Sequence, residues 1–300
     1  MEAFVITLSF LLIGMAIRRI PAVPETTGNV LNQFVIFVSL PAMVLLKIPD
    51  LTFSTNLLVP VLLPWAMLLL SAGLVLILSR LLNWDRATTG CLMLLVPLGN
   101  TSFLGIPMVK AFFGDGAVPY ALLYDQLGSF PALVTYGSLV VAVYASGGIR
   151  PSAWSIARRV FTFPAFLALL LALALRAIRY PTAVTSLLDA LASTLVPLVM
   201  IAVGYQLTLR LSRSVVWKLG TGLSIKLVAA PLAALLLCRL GGFQGEAVSV
   251  SVFEAGMPPM VVAGMLAISA DLAPALTSAL VGIGIVVSFV TLPLLHQLLV

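Results

Sequence analysis

Ten stretches of this chain are apolar for about the length a helix needs to cross a bilayer, and the fourth in each half is broken near its middle by glycine and proline. One break is Pro97-Leu98-Gly99-Asn100-Thr101-Ser102 running on to Gly105-Ile106-Pro107; the other is Glu254-Ala255-Gly256-Met257-Pro258-Pro259. Lipid offers the backbone no hydrogen bonds, so such interruptions survive only where the freed groups face protein or a water-filled cavity. Matched breaks in two halves of a membrane chain point to a mid-membrane binding site of the kind secondary carriers use.

The spans read from hydropathy are 2–17, 29–47, 56–80, 88–113, 117–145, 157–176, 181–209, 215–238, 245–269 and 272–298. A chain that is 61% hydrophobic and 9% charged cannot cover a soluble surface, because globular chains carry roughly 25% charged residues. The reading is a multi-pass all-α protein whose partner is the lipid bilayer. Arg18 and Arg19 follow the first apolar run instead of preceding it, so that run is a retained span and not a cleaved leader.

Basic residues set the orientation. With both termini outside, Arg18, Arg19, Arg80, Arg86, Arg150, Arg158, Arg159, Arg210, Arg213 and Lys218 lie on the cytoplasmic side. Lys47, Lys110, Arg176, Arg179 and Arg239 then lie outside. The cell inner (plasma) membrane is the expected location. The net charge of +6 follows from this retention pattern and from anionic lipid; no loop is long enough to hold a nucleic-acid-binding domain. Cys91 and Cys238 sit in or at the ends of apolar runs and read as small buried hydrophobes.

The polar loop Ala145–Ser152 divides the chain into two sets of five spans, 1–147 and 148–300. An odd number of spans per set turns the second set over, so a five-plus-five inverted repeat is expected, with helices four and nine broken and crossing. The second span of each half also carries a proline, Pro41 and Pro197, which a packed kink explains equally well.

Each break reads as a helix stop followed by a restart, with Asn100, Thr101 and Ser102 as caps and Pro107 and Pro258 within the breaks, the positions that the resemblance given below makes the crossover. A restarted helix presents unpaired N–H groups and a partial positive charge, so two such ends at one depth suit an anion. The expected anion ligands are Asn100, Thr101 and Ser102 on one side and the backbone of Gly256, Met257, Pro258 and Pro259 on the other. Pro97 and Gly99 shape the first break.

Ionisable residues within spans are expensive and call for a function or a partner. Glu254 is a candidate proton carrier or Na⁺ ligand. Lys226 is either its counter-ion or a direct partner for an anionic substrate, and a static ion pair between the two is the structural alternative. Asp125 is a site residue or a solvated rim residue. Asp189 and Gln206 read as structural helix-contact groups, and His296 as interfacial. No Walker loop, no His/Cys/Asp/Glu metal spacing and no Gly-x-Ser-x-Gly elbow is present, so ATP, a metal, a cofactor and an enzymatic activity are not expected.

The run Gly99-Asn100-Thr101-Ser102-Phe103-Leu104-Gly105-Ile106-Pro107-Met108-Val109-Lys110-Ala111-Phe112-Phe113-Gly114-Asp115 resembles the fourth-helix signature of the auxin efflux carrier family. Glu254-Ala255-Gly256-Met257-Pro258-Pro259-Met260-Val261-Val262-Ala263 is similar to its ninth-helix signature. Val38-Ser39-Leu40-Pro41-Ala42 and Ser288-Phe289-Val290-Thr291-Leu292-Pro293 extend the likeness over nearly the whole chain. The resemblance implies an elevator-type carrier with the fold of the bile acid sodium symporters. It also implies scaffold helices 1, 2, 6 and 7, a mobile core of helices 3, 4, 5, 8, 9 and 10, and a homodimer. Plant members place Pro directly before the Asn matched by Asn100, whereas Leu98 and Gly99 intervene here, so their hormone specificity is not carried over. Bacterial members are linked to malonate, malate and similar carboxylates. The expectation is a carrier of a small organic anion, working by proton coupling or by plain facilitated flux; the alternatives are Na⁺ coupling as in bile acid symporters and an anion channel.

Overall fold

The computed structural model describes residues 2–51, 55–145, 152–178, 180–209 and 215–300, and every described element is helical. In chain order the helices are α1 Glu2–Ile17, α2 Thr27–Lys47, α3 Thr55–Leu81, α4 Arg86–Leu95, α5 Thr101–Phe113 and α6 Asp115–Tyr144. There follow α7 Ala153–Phe161, α8 Pro164–Ala174, α9 Thr182–Gln206, α10 Val216–Leu240, α11 Glu246–Ala255, α12 Val261–Ser269 and α13 Pro274–Leu299. Six of them, α2, α3, α6, α9, α10 and α13, are long and apolar enough to cross a membrane unaided. Most of the linker between the halves, Arg150 included, lies outside the described residues, as do Arg179, Arg210 and Arg213.

The sixth apolar stretch departs from a straight 157–176 span. It is a pair, α7 and α8, bent by 62°. The cause is local: Phe163 precedes Pro164 and is held extended at φ −71° and ψ 126°, since the proline ring excludes the helical conformation from the residue before it.

The chain forms two compact units. One comprises Met1–Ser54, Ser102–Leu122 and Arg158–Leu207. Its α1 and α9 approach closely because each offers glycine to the other: a Cβ on Gly14 would lie 2.1 Å from the Ile201 carbonyl oxygen, and one on Gly204 would lie 2.0 Å from that of Leu11. Small residues are how helices in lipid gain contact, the medium giving no hydrophobic drive between them. Ser39 and Thr194 share a 2.7 Å hydrogen bond, and Gln206 accepts from Asn32 and donates to Asn29. Gln206 thus takes the structural role read for it, whereas Asp189 is exposed.

The other unit comprises Thr55–Thr101, Leu123–Ala157 and Thr208–Val300. Its core joins Cys91–Val96 to Ala263, Ala267, Leu276 and Leu280. Cys91 is buried and in contact with Thr277 Oγ1 at 3.1 Å, consistent with a small core residue.

Five π-helical turns punctuate the described helices: Val35–Ser39, Thr101–Gly105, Asp125–Ser129, Leu133–Gly137 and Ile225–Ala229. All but the fourth are followed two residues later by proline, at Pro41, Pro107, Pro131 and Pro231. A proline cannot donate to the carbonyl four residues back and collides with it, and in each case that carbonyl belongs to the middle residue of the widened turn. Side-chain donors take up two carbonyls that prolines free. The Trp65 indole donates to the Leu127 carbonyl at 3.0 Å, and the Tyr136 hydroxyl donates to the Met93 carbonyl, freed by Pro97, at 2.8 Å.

Candidate functional site

Both broken spans are broken in the structure, and the two breaks pair. Gly99 and Pro259 form an isolated antiparallel bridge. Asn100 N–H donates to the Pro258 carbonyl at 2.8 Å, and Met260 N–H donates to the Leu98 carbonyl at 3.0 Å. Extended backbone buried at this depth must find partners, and here each break supplies the other's.

The pairing changes what the second break can offer a ligand. Gly256 N–H is bonded to the Phe253 carbonyl and Met257 N–H to that of Glu254, while Pro258 and Pro259 have no N–H. The Gly256–Pro259 segment therefore presents no spare backbone donor. Its role is steric: a Cβ on Gly284 of α13 would lie 2.8 Å from Pro259 Cδ, and one on Gly256 would lie 2.7 Å from Leu295 Cδ2. The N–H groups of Val261 to Ala263 precede the first return bond of α12, Gly264 N–H to the Met260 carbonyl, and are the donors nearest this break.

Charged groups gather beside the first break. Asp125 is 1% exposed, which removes the rim alternative. Its carboxylate accepts from Thr101 Oγ1 at 2.6 Å and from Gln126 Nε2 at 2.7 Å. Glu254 is fully buried, and neither of its carboxylate oxygens has a hydrogen-bond partner. Lys226, 4% exposed, rests its ammonium against Gly99, where a Cβ would lie 3.0 Å from Nζ. No ion pair among the described residues joins Lys226 to Glu254, so the static pair is not the arrangement present.

A single cavity is lined by Pro97, Gly99, Thr101, Ser129, Lys226 and Glu254, with α3 closing one side, and it leaves room for about one water molecule. Asn100 is buried outside that lining, its amide nitrogen without a partner. Ser102 begins the segment assigned to the first-described unit, and Pro107 lies within it. Ser129 and Gln126 were not singled out from sequence. The signal for them was the polar run Asp125-Gln126-Leu127-Gly128-Ser129 inside a span, which places Asp125 and Ser129 one turn apart. Thr101, Asp125 and Lys226 all lie in π turns, a geometry that recurs at functional sites.

The model of the membrane transport protein family matches residues 1–296. The chain belongs to that family. It is the family of the auxin efflux carriers, so the motif resemblance at the two breaks holds over the whole chain. An uncharacterized transporter of Methanothermobacter thermautotrophicus is 28% identical over 299 residues, covering 98% of this chain and 96% of its own length. Another uncharacterized transporter, from Methanocaldococcus jannaschii, is 26% identical over 268 residues, covering 86% and 85%. Family membership makes the chain a multi-pass membrane transporter and not an enzyme.

Proposed function

We propose that the protein is a secondary carrier that binds a small organic anion, a carboxylate, beside the paired breaks and moves it by alternating access of the elevator type. Asn100, Thr101 and Ser102 contribute polar contacts, Lys226 the positive charge, and the Gly256–Pro259 segment a rigid wall. The observation that carries this reading is the junction itself: two interrupted spans joined by main-chain hydrogen bonds next to a buried ammonium and a buried amide nitrogen with no partner. An anion supplies what both lack.

The ten spans form a five-plus-five inverted repeat, with α4 and α5 as the fourth span and α11 and α12 as the ninth. Helices 1, 2, 6 and 7 form the scaffold, through which the chain dimerises, and the remaining six the mobile core. The membership of the two compact units supports this division in part: α1, α2, α8 and α9 fall in one and α3, α4 and α10 to α13 in the other, but Ser102–Leu122, which holds α5 and the start of α6, falls with the first. The carrier resides in the inner membrane with both termini outside, as the ten basic residues against five favour.

Binding of malonate, malate and lactate to detergent-solubilised protein tests the reading by thermal shift, since a ligand of the folded state raises its stability. Asn100→Ala should weaken the best binder by about tenfold, the expectation for one lost hydrogen bond to a charged group. An isotherm equal to wild type would remove Asn100 from the site. Saturable counterflow in liposomes separates a carrier from a channel, which would show single-channel currents.

A further inference from the structure

Glu254 and Lys226 share a small cavity without being bonded to each other, and that is an unstable arrangement for two charges. A buried carboxylate with no donor on either oxygen persists as an ion only where a nearby cation balances it, and a buried ammonium asks for an anion. Asp125 does not supply the missing partner to Glu254, since it is itself a carboxylate and is engaged with Thr101 and Gln126. The Lys226 ammonium sits at the end of a four-carbon stem, seated on Gly99, where the absent Cβ leaves it space. From that seat the substrate carboxylate and Glu254 are alternative partners.

We propose, building on the carrier reading above, that substrate and Glu254 exchange places at Lys226, so that each carboxylate moves with one proton. In the empty site the Lys226 ammonium balances the charge of the Glu254 carboxylate across the cavity they share, without a direct hydrogen bond. An entering carboxylate takes over the ammonium, and the released Glu254 carboxylate takes one proton from a hydronium ion, whose O–H bond breaks to leave water as the carboxyl O–H bond forms. The electrostatics favour this scheme. The empty pair carries zero net charge, and so does the loaded trio of ammonium, monocarboxylate anion and neutral acid. Asp125 counts equally in both forms, so the loaded site carries no charge into lipid that the empty one lacks.

The groups that face Glu254 are Lys226 from α10 and Asp125 and Tyr124 from α6; α3 brings Pro64, Met67 and Leu68, and His296 of α13 stacks edge-on against Phe253. None of the others is a cation lying in the cavity with Glu254. Na⁺ has no place in the scheme, because the ammonium already fills the cavity's need for a cation and repels a second one.

The test needs no known substrate for its first arm. In purified Lys226→Met at neutral pH, infrared spectroscopy should show a protonated carboxyl carbonyl band that shifts in D2O and is missing from Lys226→Met/Glu254→Gln. If the single variant lacks the band, the exchange is overturned, whatever becomes of the carrier reading. The second arm uses malonate, malate and lactate in liposomes and in binding. Wild-type affinity for whichever binds should improve as pH falls, by up to about tenfold per pH unit for one linked proton. That slope should vanish in Glu254→Gln, and Na⁺ should have no effect. Gly99→Ala, which crowds only the movable end of Lys226, should weaken binding several-fold. An unchanged pH slope in Glu254→Gln, or dependence on Na⁺, sinks the proposal while leaving the Asn100→Ala test of the carrier intact.

Discussion

Asp85 shows how one side chain at the edge of the bilayer starts a helix. It is extended at φ −64° and ψ 162°, and its carboxylate accepts from the Thr88 N–H at 2.8 Å and the Thr88 hydroxyl at 2.7 Å. The backbone hydrogen bond from Thr88, with help from the Thr88 hydroxyl and Lys218, outweighs partial burial and pulls its acidity down to a pKa of about 2. Because the folded value lies below the ordinary one of about 3.9, the stabilisation is fully present above pH ~4 and is lost as pH falls towards 2. Asp85→Ala should cost about 1 kcal/mol at neutral pH, and thermal melts at stepped pH should show the gap from wild type closing over that window. Lys218→Ala should cost less, since the ion pair it forms with Asp85 is half in solvent. Trp65→Phe removes the donor to the freed Leu127 carbonyl and should cost about 1–3 kcal/mol, read from the shift in melting.

At the level of elements, prolines place the wide turns and the wide turns place the site. Pro131→Ala restores an N–H to α6 and allows the Asp125–Ser129 turn to tighten. Tightening rotates Asp125 away from Thr101, and the lost charge-assisted bond, worth about 1.5–3 kcal/mol, should appear as a lowered melting temperature. Gly204→Ala drives a methyl into the Leu11 carbonyl and should destabilise the α1–α9 contact by about 1–3 kcal/mol, measured by denaturation in detergent. The interruptions at Pro97 and Pro258 were readable from residue type alone, because glycine and proline act through their own backbone. The wide turns before Pro41, Pro107, Pro131 and Pro231 were not read from sequence, since Pro64 and Pro293 sit in regular helix without one, and hydropathy alone drew a straight span across the bend at Pro164. Three further features were not readable. The Gly99–Pro259 bridge joins residues 160 positions apart, the engagement of Asp125 by Thr101 depends on two helices meeting, and the seat of Lys226 on Gly99 depends on a third. Local pattern carries no record of such encounters.

On the scale of the whole molecule, each compact unit draws on both halves of the chain. Residues 1–147 expressed alone should therefore give no cooperative thermal transition, because their helices lack the packing partners found in 148–300. Co-expression of the two fragments should restore one. Hydrogen exchange with and without a bound carboxylate should show protection gathered at 96–101 and 256–260, and little change at the α1–α9 contact. The bridge between the breaks has a further effect. It is a clasp of main chain, made without any side chain, so the residues around it are at liberty to drift through evolution. Cargo preference can be rewritten one neighbour at a time while the four half-helices stay buckled together.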